Sequence, residues 1–108
     1  MEKSLFLQVL GDTPTMKVFD FLILNEEFDY SMTDIAELSC VGYSTLKLFW
    51  PVLEDQEIVS PTRIVGKAKM YRLNKSNTIA KKMIELYWTT TKVAVRKIQR
   101  QEEHMLAH

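Results

Sequence analysis

The feature that most constrains the fold is a segment from Ser76 to Glu103 that contains neither glycine nor proline. As one helix, these 28 residues would extend about 42 Å at 1.5 Å per residue. The preceding part of the chain, about 75 residues, would form a body only about 30 Å across. The helix must therefore extend beyond the domain that precedes it. We expect two parts, with residues 1–75 forming a folded domain and residues 76–108 forming a C-terminal helix.

An apolar stripe continues along this segment past its midpoint, at intervals of three and four residues as in a coiled-coil seam. A lone helix would leave that stripe in water. We therefore predict a homodimer whose C-terminal helices pair, parallel or antiparallel, across a two-fold axis. The alternative is a break near residues 89–91, after which the helix folds back. The predicted interface residues are Ile84, Tyr87, Trp88, Thr91, Val95 and Ile98.

The first part of the chain carries helix signals followed by a hairpin signal. An Asp12 or Thr13 cap before Pro14 starts one helix, and Ser31 caps another. The β-branched run 58–65 and a turn at Gly66 predict a hairpin. The expected elements are helices over residues 5–10, 14–25, 31–39 and from 43, a short strand at 28–30, strands at 58–65 and 70–73, and the long helix. Expected core residues of the middle helices are Val18, Phe21, Leu22, Leu24, Ile35, Ala36, Leu38, Leu46, Phe49, Trp50 and Leu53.

The charge is divided between the two halves of the chain, although the formal net charge is zero. Residues 1–60 contain three lysines against eleven carboxylates, and residues 61–108 contain eleven lysines and arginines against three. The first half thus has a net charge of −8 and the second half one of +8. This division suggests that the second half meets a polyanion, although the two halves could also simply neutralise each other.

The composition argues against several classes of protein. The single cysteine, Cys40, excludes an intramolecular disulfide, and with His104 and His108 near the end of the chain a metal cluster has too few ligands. We find no catalytic set and no glycine-rich phosphate loop, so we expect neither an enzyme nor a cofactor. Apolar runs are too short to span a bilayer, and residues 1–10 do not read as a secretory signal, so we expect a cytoplasmic protein without a membrane partner.

Three segments carry a resemblance to a known family: TDIAELSCVGYSTL at residues 33–46, LEDQEIV at 53–59 and RIVGKAKMYRLN at 63–74. They resemble the helix-turn-helix, the entry to the wing and the wing of archaeal winged helix-turn-helix transcriptional regulators of the ArsR-like kind. The resemblance implies a mostly α fold with a small β-hairpin and a long C-terminal dimerisation helix. Cys40 departs from it, because members commonly have glycine there, and a side chain in the left-handed conformation costs about 1 kcal/mol.

The resemblance also implies where DNA would bind. The start of the helix at residue 43 would enter the major groove, and the hairpin would reach phosphates or the minor groove. The candidates for base contacts are Tyr43, Ser44 and Lys47, and those for the DNA backbone are Ser31, Thr33, Arg63, Lys67, Lys69 and Arg72. Each also has a structural interpretation. Ser31 would be a helix cap, Tyr43 a surface aromatic, and the hairpin cations a solvated face.

The favoured function is a sequence-specific transcriptional regulator that binds double-stranded DNA as a homodimer. The recognition helix is unusually apolar, however, with Leu48, Phe49 and Pro51 after its first turn. The alternative is therefore a protein–protein interaction module of a transcription or defence complex, with only non-specific DNA affinity. A third hypothesis is a sensor that holds a small-molecule effector near Tyr87 and Trp88, of a chemistry that the sequence does not specify.

Overall fold

The computed structural model describes residues 3–106 and has the predicted order of elements. Five helices and three strands are present in this part of the chain. The class is mostly α with a small antiparallel sheet and a long C-terminal helix, as predicted. The elements are α1 (Leu5–Leu10), α2 (Pro14–Leu24), β1 (Tyr30–Ser31), α3 (Met32–Leu38), α4 (Tyr43–Asp55), β2 (Val59–Val65), β3 (Ala68–Leu73) and α5 (Thr78–Leu106).

Helix starts follow the local capping signals. The Thr13 hydroxyl accepts a hydrogen bond from the Met16 amide at 3.3 Å, and Pro14 occupies the first position of α2. The Ser31 hydroxyl accepts one from the Asp34 amide at 3.2 Å. Each bond satisfies an amide that has no partner within its own helix. The structural interpretation of Ser31 as a cap is therefore confirmed.

The sheet has the strand order β1-β3-β2, so β3 is central and β2 forms an edge. Pro61 lies in β2, as expected for a residue that cannot donate to a ladder on both sides. The register runs from Val59 opposite Leu73 to Val65 opposite Ala68, with an irregularity between Pro61 and Ile64. The hairpin turns at Gly66, whose φ of 63° favours glycine.

The core lies where α1, α2, α3, α4 and the start of α5 meet the sheet. Two expected core residues are wrong: Leu24 is 59% exposed, and Leu38 is also exposed. Phe19 and Ile23 are buried in α2 instead. The apolar residues of α2 lie on several sides of the helix, so hydropathy alone did not identify the side that faces the core. The neighbouring helices decide that face by packing on one side of it.

The long helix α5 is continuous over 29 residues, as predicted, so the alternative of a break near residues 89–91 is wrong. Three threonine hydroxyls at residues 89–91 donate back to the carbonyls of Glu85 and Tyr87, which keeps these polar groups satisfied within the helix. Buried residues of α5 end at Thr90. The described chain measures 60 × 27 × 23 Å, because the second half of α5 projects from the body.

Within residues 3–106, no helix combines the length and the apolar character that a membrane span requires.

Candidate nucleic-acid interface

The helices α3 and α4 are joined by a short turn that fixes their angle. Ala36 is buried where the two helices cross, and its carbonyl accepts a hydrogen bond from the Val41 amide at 2.9 Å. The Ser39 hydroxyl donates to the Ile35 carbonyl at 2.5 Å, which satisfies a polar group inside the crossing. Cys40 has a φ of 60°, the left-handed conformation expected from the sequence. Because this turn packs one face of α4 against α3, the opposite face of α4 is exposed to solvent.

Five predicted DNA-contact residues line one groove between the start of α3, the start of α4 and the hairpin: Ser31, Thr33, Tyr43, Lys67 and Lys69. The groove has a volume of about 260 Å³. Its lining also includes Met32, Ala68 and Tyr71, which were not predicted as contacts. Tyr71 is buried, so its ring forms the floor of the groove. Two lysines, hydroxyls and an aromatic edge thus meet on one surface.

Two lysines at this surface, Lys47 and Lys69, each lie close to an aromatic ring. Lys47 Nζ lies 5.6 Å from the centre of the Tyr43 ring, and Lys69 Nζ lies 6.0 Å from that of Tyr71. Such cation–π contacts orient a cation without neutralising it. Tyr71 packs edge-on against Trp50 with ring centres 5.2 Å apart. Burial raises the pKa of Tyr71, and the nearby Glu54 carboxylate adds to the increase.

Ser44 is exposed on the first turn of α4, next to the groove, whereas Thr45, the following residue, is half-buried. Leu48 follows Ser44 by one turn and is 82% exposed. The surface of α4 that points away from the core is therefore polar at its start and apolar further along. The first turn of α4 thus offers the Ser44 hydroxyl and the ring and hydroxyl of Tyr43 to a ligand, with the Lys47 ammonium at the side.

Arg63 and Arg72 lie outside this groove. They line a second groove of about 650 Å³ together with residues 27–30 and 60–62. Arg63 is ion-paired with Asp29, and the Thr62 hydroxyl donates to the same carboxylate at 2.5 Å. These hydrogen bonds, first that of Arg63 and then that of Thr62, lower the pKa of Asp29. The role of the two arginines as phosphate contacts stays a prediction, and Asp29 carried no signal in the sequence.

The predicted dimer residues on α5 divide into two groups. Tyr87 is only 5% exposed, and its ring packs against Phe6 with centres 5.2 Å apart, so it belongs to the core of its own chain. Burial raises the pKa of Tyr87, with a smaller contribution from Asp20. Ile84 is partly buried beside this core. The residues that line or flank a shallow groove on the projecting part of the helix are Trp88, Thr91, Val95 and Ile98.

The described residues contain no group of three or more histidines, cysteines, aspartates or glutamates that could hold a metal ion.

A helix-turn-helix followed by an antiparallel hairpin defines the winged helix-turn-helix fold, here with a long C-terminal helix. Several solved protein structures have a fold similar to that of this chain. An apo mutant of Lactococcus lactis ZitR has a TM-score of 0.63 at 15% identity, over 94% of this chain and 81% of that one. MepR, a transcription regulator of the Staphylococcus aureus multidrug efflux pump MepA, has a TM-score of 0.60 at 14% identity, over 94% and 76%. Wild-type ZitR in complex with DNA has a TM-score of 0.55 at 16% identity, over 84% and 66%. The sequence matches no protein-family model and no curated protein sequence.

Proposed function

We propose that this chain is a DNA-binding transcription regulator that acts as a homodimer, and not an enzyme. The observation that carries the proposal is the groove formed by Ser31, Thr33, Tyr43, Lys67 and Lys69. These residues come from three separate elements and meet beside the start of α4. Among the similar folds, MepR is a transcription regulator and one ZitR structure contains DNA. The ArsR-like relationship stays a prediction.

In this proposal the first turn of α4 enters the major groove of the DNA. Tyr43, Ser44 and Lys47 face the base edges, where hydroxyl and ammonium groups can distinguish bases. Lys67 and Lys69 on the hairpin neutralise phosphates, because a duplex carries its charge along both edges of the groove. Ser31 and Thr33, which line the same groove at the start of α3, are further contacts to the DNA backbone in this proposal.

The homodimer rests on the projecting half of α5. Beyond Thr90 no residue of α5 up to Leu106 is buried, yet Val95 and Ile98 continue an apolar stripe there. A second copy of the helix would cover these side chains. Two-fold pairing would also duplicate the groove, as a palindromic site requires.

The direct test is a selection of bound sequences from random duplex DNA, followed by binding measurements on the enriched site. We expect an inverted repeat. If each protomer neutralises about three phosphates, the slope of log affinity against log salt will be about −5. Absence of duplex binding at low salt would overturn the proposal.

A second candidate function, protein docking on α4, is favoured by the exposed apolar side chain of Leu48. The variants Tyr43→Ala and Lys47→Ala separate the two. A base-reading helix loses about 1–3 kcal/mol of discrimination for each lost contact. Duplex binding that tolerates both variants but is abolished by hairpin variants would favour the protein-docking function.

A further inference from the structure

The outer face of α4 is apolar where a recognition helix would be expected to carry polar groups. Leu46, Trp50 and Leu53 are buried and define the inner face. On the opposite side Leu48 is 82% exposed and Val52 is 59% exposed. Leu48 follows the exposed Ser44 by one turn, and Val52 follows Leu48 by another. Their exposure leaves a large apolar surface without a partner in the described chain.

This face has a particular position relative to the cations. Lys47 is the only lysine or arginine of α4, and its ammonium lies over the Tyr43 ring. Asp55 follows Leu48 by seven residues, so it lies on nearly the same face two turns later. A carboxylate there is repelled by phosphates. Contact with DNA is therefore confined to the first two turns of α4, which include the exposed Leu48.

The floor of the major groove offers one apolar group, the C5 methyl of thymine. The other base edges present hydrogen-bond donors and acceptors, which a leucine would desolvate without compensation. Burial of apolar surface on both sides makes the thymine methyl the favourable neighbour of an exposed leucine.

We propose that Leu48 is a specificity-determining residue that contacts a thymine methyl group in the major groove, so that the protein prefers A·T pairs at that position. This inference rests on the proposed DNA-binding function. It commits the apolar face of α4 to DNA, because Leu48 lies one turn after Ser44 and next to Lys47, two of the proposed base contacts.

The test compares two duplexes that differ only in this methyl group. Both are alternating copolymers of about 30 base pairs, long enough for two half-sites one turn apart, one of dA and dT and the other of dA and dU. We expect the protein to bind the thymine duplex about fourfold more tightly for each methyl that a Leu48 side chain covers. This ratio corresponds to the removal of about one methyl-sized apolar group from water. Two such contacts in a dimer would give about 15-fold.

The variants identify the side chain that is responsible. Leu48→Ala should bind both duplexes equally, because alanine does not reach the methyl group. Leu24→Ala is the matched control, since Leu24 is also an exposed leucine but lies at the end of α2. It should keep the preference of the unmodified protein. Both leucines are exposed, so both variants should fold, which circular dichroism and thermal melting will check.

Four outcomes contradict the inference, and the last of them also removes its basis. Equal binding of the two duplexes by the unmodified protein would overturn it and leave the proposed DNA-binding function standing. A preference that persists in Leu48→Ala would assign the effect to duplex shape instead. Equal binding of the two duplexes, combined with an unchanged affinity for DNA in Leu48→Ala, would indicate that the apolar face binds a protein partner instead. Failure to bind either duplex at low salt would overturn both proposals.

Discussion

Asp29 and Arg63, 34 positions apart in the chain, form a two-pronged ion pair. Arg63 Nε donates to Asp29 Oδ2 at 2.9 Å, and Nη2 donates to Oδ1 at 3.1 Å. The pair ties the hairpin to the segment between α2 and β1. It also compensates the charge of Arg63, whereas Lys67 and Lys69 have no ion pair within residues 3–106 and lie at the other groove.

Salt dependence should therefore separate the cations of the hairpin. Lys67→Ala and Lys69→Ala should each flatten the slope of log affinity against log salt by about 2 for a dimer, because each removes one phosphate contact per protomer. Arg63→Ala should flatten it less, since its charge is already neutralised. Fluorescence anisotropy over a salt series measures all three slopes. An equally large change for Arg63→Ala would mean that the ion pair opens on DNA.

A carboxylate in the apolar stripe of α5 should dissociate the dimer. Val95→Asp places a charge beside Trp88 and Thr91, where desolvation on pairing is costly. Val93→Asp is the matched control, because Val93 is 48% exposed against 47% for Val95 and lies about 200° around the helix. Sedimentation velocity at micromolar concentration should give a monomer for the first variant and a dimer for the second. A monomeric unmodified protein would contradict the dimer proposal.

Glycine at the helix-turn-helix turn should stabilise the protein. Cys40 has a φ of 60°, and a Cβ atom in this region costs about 1 kcal/mol, partly offset by the greater freedom of glycine in the unfolded chain. Cys40→Gly should raise the free energy of unfolding by about 0.5 kcal/mol or more in urea titrations. Cys40→Ala keeps the Cβ atom and should show no such gain. Equal effects of the two variants would argue against backbone strain.

Alkaline conditions should weaken the fold through two buried tyrosines. The pKa values of Tyr71 and Tyr87 are raised above the ordinary value of 10.0, so folding favours their neutral forms. Their contribution to stability is complete below about pH 10 and is lost as pH rises through the folded pKa. Urea midpoints should therefore fall above about pH 10. Tyr87→Phe should reduce that fall, because it removes one of the two phenol groups that must stay neutral in the folded protein.

Local signals were sufficient to predict the order of the elements, although the short strand expected at 28–30 lies at Tyr30–Ser31. Thr13 with Pro14, Ser31 and Gly66 each act within a few residues of their own position, through caps and turns that the structure confirms. The run without a helix breaker after residue 76 predicted α5 in the same way. Such signals are short-range hydrogen bonds and backbone preferences, so neighbouring residues determine them.

Packing between distant segments decided the rest. The sequence did not distinguish Phe19 and Ile23, which are buried, from the exposed Leu24, because the inner face of α2 depends on where other helices lie. Tyr87 matched the period of a dimer seam but packs on Phe6 in its own chain. The pairing of Asp29 with Arg63 depends on the docking of a hairpin against a loop far away in the chain. The chain by itself therefore determined which segments become helices and strands. The tertiary structure decided which side chains remain available to a partner, because availability depends on how all segments pack together.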